Sequence, residues 1–80
     1  MQLNSLNLSG APITDAGLEH LESLNSLSFL NLSNTAVGDE GLRHLEKLPR
    51  LRYLWLVGTH VSDEGVRQFQ RALPEVEVHY

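Results

Sequence analysis

Eighty residues with a formal charge of −4 and no cysteine describe one small domain, with no disulfide and no cysteine-held zinc to staple it. A chain this short buries only about 60% of its unfolded surface, so regular stacking has to make up for a modest core. No apolar run approaches the roughly 20 residues of a membrane span, Met1-Gln2 leads straight into the first repeat without a signal peptide's regions, and no basic stripe for nucleic acid is present. The expectation is a cytoplasmic protein with neither a membrane nor a nucleic-acid partner.

Sliding the chain against itself by 24 residues superposes Leu3, Leu27 and Leu51, then Leu6, Leu30 and Leu54, then Leu8, Leu32 and Leu56. Ile13, Val37 and Val61 follow, as do Asp15, Asp39 and Asp63, and Gly17, Gly41 and Gly65. A period of this length decides the architecture before any local reading does. It divides a single domain, 1–80, into repeats at about 3–26, 27–50 and 51–74, with a closing strand over 76–80.

Each copy begins with Leu-x-x-Leu-x-Leu, whose alternation is that of a strand: Leu30 and Leu32 point one way, Phe29, Asn31 and Ser33 the other. After a short loop come Thr14-Asp15, Gly38-Asp39 and Ser62-Asp63. Ser or Thr suits a helix N-cap, and an acid in the first turn complements the helix dipole. Leu18, Leu21 and Leu24, like Leu42, Leu45 and Leu48, keep a three-residue step along one helix face until Asn25 or Pro49 ends it. A repeat is therefore strand, turn, helix, turn. It is one coil of an α/β solenoid in which strand and helix leucines share an interior. A doubly wound sheet is the competing arrangement, but its units usually need thirty or more residues and place helices on both faces.

The three stretches "LNSLNLSGAPITDAGLEHLESL", "LSFLNLSNTAVGDEGLRHLEKL" and "LRYLWLVGTHVSDEGVRQFQRAL" resemble the leucine-rich repeat family, in particular the helical repeats of ribonuclease-inhibitor-like, F-box-associated and bacterial members. The resemblance covers essentially the whole chain. It implies a right-handed horseshoe segment with a short parallel sheet of four strands on the concave side and three helices on the convex side, and protein binding as a tendency of the class. Where the family often has Asn or Cys after the strand, this chain has Ala11, Thr35 and Thr59. A Thr hydroxyl can bond the turning backbone and Ala11 cannot, so the first coil is expected to be less well tied.

Gly17, Gly41 and Gly65 sit where the family packs helix backbone against the coil, and are read as structural. His20 and His44 recur one above the other but bring no third ligand, which speaks against a metal. Glu19 beside Arg43 and Glu22 near Lys47 are read as weak surface pairs. Residues 1–26 carry Asp15, Glu19 and Glu22 with no Lys or Arg. Arg50, Arg52, Arg67 and Arg71 are read as solvated charges, with local contact to an acidic partner as the alternative.

The first strand starts with no capping segment, so its edge is expected to be open, to a continuing chain or to a second copy. At the far end "ALPEVEVHY" shifts the helix exit. Val76, Val78 and Tyr80 then alternate as a fourth strand, with Val78 and Tyr80 expected to close the core and Glu75 and Glu77 to discourage further pairing.

The residues between the strand leucines line the sheet's open face in columns: Ser5, Phe29, Tyr53, Glu77, then Asn7, Asn31, Trp55, His79, then Ser9, Ser33, Val57. A half-buried sheet ordinarily turns small or polar groups outward. Phe29, Tyr53 and Trp55 depart from this and are candidate binding anchors, with Asn7, Asn31 and His79 as polar contacts. The alternative is that the aromatics only stack across adjacent strands. Strands of five or six residues would present roughly 300 to 400 Å². A standard interface takes about 800 Å² per partner. No phosphate loop, nucleophile with its base or close carboxylate pair is legible, so no catalytic, cofactor or metal residues are expected. The reading is a non-catalytic module that binds a protein or peptide through the concave face. The alternative is a structural repeat fragment that self-associates through its N-terminal edge or belongs to a larger protein.

Overall fold

A computed structural model describes residues 3–80. Met1 and Gln2, read above as running directly into the first strand, lie outside the described residues.

Four parallel strands form one sheet in chain order: β1 (Ser5–Asn7), β2 (Phe29–Asn31), β3 (Tyr53–Trp55) and β4 (Glu77–His79). The register follows the 24-residue repeat without a slip, setting Leu6 beside Leu30, Leu30 beside Leu54 and Leu54 beside Val78. Between the strands lie a 3-10 helix (Asp15–Leu21), α1 (Asp39–Leu45) and α2 (Asp63–Ala72). Strand leucines 30, 32, 54 and 56 and helix residues Leu18, Leu42, Leu45, Val66 and Phe69 form one buried cluster, nearly all of it inaccessible to solvent. At about 25 cal/mol per Å², that shared burial, which no coil achieves alone, is the main stabilising term.

The strands are three residues long rather than five or six, because the chain turns early. Gly10, Asn34 and Gly58 occupy one column and all take positive φ, 75°, 59° and 75°. Only Gly, and Asn among the others, enters that region readily. Just before this turn Asn7 Oδ1 accepts the Ser9 N–H and Asn31 Oδ1 the Ser33 N–H, both at 3.0 Å. These bonds divert donors that a longer ladder would use. After it, the hydroxyls of Thr35 and Thr59 donate to Leu32 O and Leu56 O, each at 2.7 Å. Ala11, at the same place in the first coil, has no hydroxyl and is tied by backbone bonds alone, its N–H donating to Leu8 O at 3.0 Å and its O accepting the Ile13 N–H at 2.8 Å. The turn is tied in two coils and looser in the first, as the residue types imply.

The aspartates do more than start their own helices. Asp15 Oδ1 accepts the Gly38 N–H at 2.6 Å, and Asp39 Oδ1 accepts the Ser62 N–H at 2.8 Å. Asp39 Oδ2 also accepts from the Ser62 hydroxyl at 2.5 Å, whose oxygen in turn accepts the Gly65 N–H at 3.1 Å. Each carboxylate therefore satisfies one free backbone donor at the start of the following coil's helix. The recurrent glycines make room for it. A Cβ at Gly41 would lie 2.6 Å from Asp15 Oδ1 and 2.7 Å from Leu18 Cδ1, and one at Gly65 would overlap the Asp39 carboxylate.

The three expected helices are present, the first in the tight 3-10 form, and no aspartate among the described residues reaches its N–H. One expectation is corrected. Tyr80 does not close the core: it is 56% exposed, because Leu32 and Leu56 are each covered by a following helix and no helix among the described residues covers Tyr80. Ser33, in the open-face column of Ser9 and Val57, is only 8% exposed, its hydroxyl oxygen accepting the Val57 N–H at 3.2 Å.

Candidate functional site

The helices cover the leucine side of the sheet and leave the other side open. The columns read from the sequence are the observed ones: Ser5, Phe29, Tyr53 and Glu77 lie side by side, and so do Asn7, Asn31, Trp55 and His79. Phe29 and Trp55 are half-buried, while Tyr53 is 48% and the neighbouring Val57 49% exposed. Large apolar groups are thus concentrated over β2 and β3, and the β1 side of the same face is polar and small.

Trp55 and His79 are stacked, with ring centroids 4.0 Å apart and planes within 12°. His79 Nε2–H donates to Glu77 Oε2 at 2.6 Å, which orients the imidazole over the indole. The Trp55 Nε1–H is enclosed and has no acceptor among the described residues. An unpaired buried donor costs about 1–3 kcal/mol, so the indole itself is held by packing and not by a hydrogen bond of its own. Asn7 and Asn31 have already committed their carbonyl oxygens to the backbone. Their amide NH₂ groups are the uncommitted ends, a distinction the one-letter pattern does not carry.

On the helix side, His44 Nδ1–H donates to Glu22 Oε2 and Lys47 Nζ lies 3.4 Å from Glu22 Oε1. The first of these, then the lysine charge, holds the Glu22 carboxyl below its usual range. The expected Glu22–Lys47 pair is present. His44 turns to this carboxylate and not to His20, and Glu19 and Arg43 form no ion pair among the described residues. No set of three His, Asp or Glu side chains among the described residues is placed to hold a metal ion.

A sheet of parallel strands joined on one side by short helices, advancing by a constant 24 residues, is a one-sided α/β solenoid. The sequence model of the leucine rich repeat family matches residues 2–21 and 19–45, together more than half of the chain. The chain belongs to the leucine-rich repeat family. The third copy lies beyond the matched residues and continues them in strict register, with Trp55 and Phe69 in place of the smaller residues of the first two. No curated protein matches the chain. Membership suggests a protein-interaction role, since repeats of this family are generally non-catalytic interaction modules. No helix among the described residues is long and apolar enough to cross a membrane.

Proposed function

We propose that this chain is a non-catalytic recognition module that binds a protein or peptide through the open face of its sheet. Phe29, Tyr53 and Trp55 are the apolar anchors, and the amide groups of Asn7 and Asn31 with the imidazole of His79 are the directional contacts. The observation that carries this reading is the exposure of Tyr53 and Val57, at 48% and 49%, beside the Trp55–His79 stack on the face no helix covers. Rigid aromatic groups left in water in this way are the usual anchors of an interface. Stacking alone accounts for Trp55 but not for the outward Tyr53. The regular part of the face spans only roughly 190 Å², which suits a short extended peptide better than a folded partner. A cysteine-free chain fits a reducing compartment, and a cytoplasmic address belongs to the same reading.

The test is a selection of displayed random heptapeptides on the wild-type protein, with the enriched sequences re-measured on the F29S/Y53S/W55S variant. A loss of at least tenfold in affinity, with circular dichroism unchanged, supports the open face. Peptides that bind the triple variant as well as the wild type contradict it.

A second reading rests on the other end of the solenoid. Leu3 is 43% exposed, and Leu6, Leu8, Ile13, Leu21 and Leu24 are only partly buried, whereas their counterparts Leu30, Leu32, Val37, Leu45 and Leu48 are fully covered. This apolar end fits self-association through the β1 edge. Sedimentation should then show a dimer that Ser5→Lys dissociates, and a monomer at every concentration rejects it.

A further inference from the structure

The last coil leaves the repeat at one point. α2 has ten residues against seven in α1, and this extra turn carries the chain past the place where α1 ends. In the unbroken 24-residue register Glu75 stands in the column of Leu27 and Leu51 and is exposed, while Val76, the next residue, is buried at 4% exposure. The displaced turn leaves a half-open cleft of about 560 Å³ between two proline-bearing loops, Pro49–Arg52 and Leu73–Val76. Its size is within the range of pockets that hold small ligands or single anchoring side chains.

The floor of this cleft is apolar, formed by Leu51, Leu73 and Val76, and its rim carries Arg50, Arg52 and Glu75. Arg52 Nη1 is 3.9 Å from Glu75 Oε1 with both side chains largely exposed, a pair of little energetic weight. Arg50 has no ion pair among the described residues. The lining thus carries two arginines and one glutamate, a local positive excess in a chain whose net charge is −4. We propose that the cleft is a second docking site, for a short acidic segment of a partner polypeptide. An aliphatic or aromatic side chain of that segment sits on Leu51, Leu73 and Val76, and an adjacent carboxylate is held by Arg50 and Arg52. Guanidinium is the cation matched to a planar carboxylate, through two parallel N–H···O bonds. The apolar floor and the absence of an aromatic platform in the lining disfavour single-stranded nucleic acid as the anionic partner. The site goes beyond the open-face reading and does not depend on it.

The same heptapeptide selection separates the two. Each enriched peptide is labelled and titrated by fluorescence anisotropy against the wild type, against Arg50→Gln with Arg52→Gln, and against F29S/Y53S/W55S. Both arginines are exposed, so their replacement leaves the fold intact by circular dichroism. The expected result is a class of peptides with Asp or Glu next to Leu, Ile, Val or Phe, losing at least tenfold on the arginine variant and less than twofold on the aromatic one. Replacing their acids by Asn or Gln should cause a similar loss. The proposal is overturned if no such class is enriched, if every enriched peptide keeps its affinity for the arginine variant, or if the amide versions bind equally well. A concentration-dependent dimer that the arginine variant abolishes overturns the partner assignment in favour of a second copy. If peptides lost only on the aromatic variant are the sole class enriched, the open face is supported and the cleft proposal is overturned.

Discussion

The first and second coils have almost the same text and different physical states. Leu30, Leu32, Val37, Leu45 and Leu48 are fully buried, and the residues 24 positions earlier are all partly exposed. The second coil's helix is α and receives the Asp15 carboxylate at its start, whereas the first is 3-10 and receives none among the described residues. In a solenoid the environment of a residue is set by its neighbouring coils as much as by its own type. The open face shows the same gradient in another form: Ser5, Asn7 and Ser9 over the first coil give way to Tyr53, Trp55 and Val57 over the third. The loosely packed end is polar on that face, and the candidate anchors stand on the better-packed coils, where rigid support lowers the entropy cost of binding.

Substitutions at equivalent positions sharpen this contrast. Leu30→Ala opens a cavity at a fully buried site and should cost about 2–5 kcal/mol, a large part of the stability of a chain this small. Leu6→Ala, in the same column, should cost about half as much or less, since the site is already partly solvated. Urea unfolding of the two variants reads the difference directly, and equal losses would break the comparison.

A smaller effect is expected where the coils are laced together. Gly41→Ala forces the Asp15 carboxylate away from the Gly38 N–H and should destabilise by about 1–3 kcal/mol despite the gain in helix propensity. At Gly17 a Cβ would press only on Ile13, 3.0 Å from Cγ1, with no carboxylate involved. Gly17→Ala should therefore be within about 0.5 kcal/mol of neutral. The pair is decided by thermal melts in one buffer, and a Gly41→Ala variant as stable as the wild type would refute the carboxylate lock.

The smallest effect is one of pH. Bonding to His44 and the charge of Lys47 keep the Glu22 carboxyl below its ordinary range in the folded chain. A carboxylate depressed on folding contributes stability that is present above its unfolded value and is lost as pH falls through the folded one. His44→Ala should flatten that acid limb slightly, lowering stability a little at neutral and alkaline pH and leaving it nearly unchanged at acid pH below the folded value, as unfolding midpoints across a pH series will show.

Much of this was legible in the letters. A constant 24-residue step fixes register, because a slip of one residue would turn every leucine out of the core. The columns of the open face, the helices and the Thr35 and Thr59 bonds follow from it. What the repeat conceals is direction. Asp15 and Gly41 recur in their own columns, and nothing in the period says that an aspartate serves the following coil's helix and not its own. The signal was the joint recurrence of Asp and Gly, a carboxylate together with the space for it. Asn7 and Asn31 looked free for a partner because one-letter text does not show a side chain bending to its own backbone. The column Gly10, Asn34, Gly58, three residues tolerant of positive φ, is the signal in the letters for strands this short. Tyr80 fell in a core column whose covering helix does not follow it among the described residues.

The central claim is that a ligand meets the aromatic half of the open face. Trp55 is the only tryptophan, so its indole Nε1–H gives a single resolved proton–nitrogen resonance at the centre of that surface. Titrating an open-face peptide from the selection should move this signal saturably, together with the amides of Phe29–Asn31 and Tyr53–Trp55. An indole signal that stays fixed while the largest shifts fall on α1 and α2 would contradict the account.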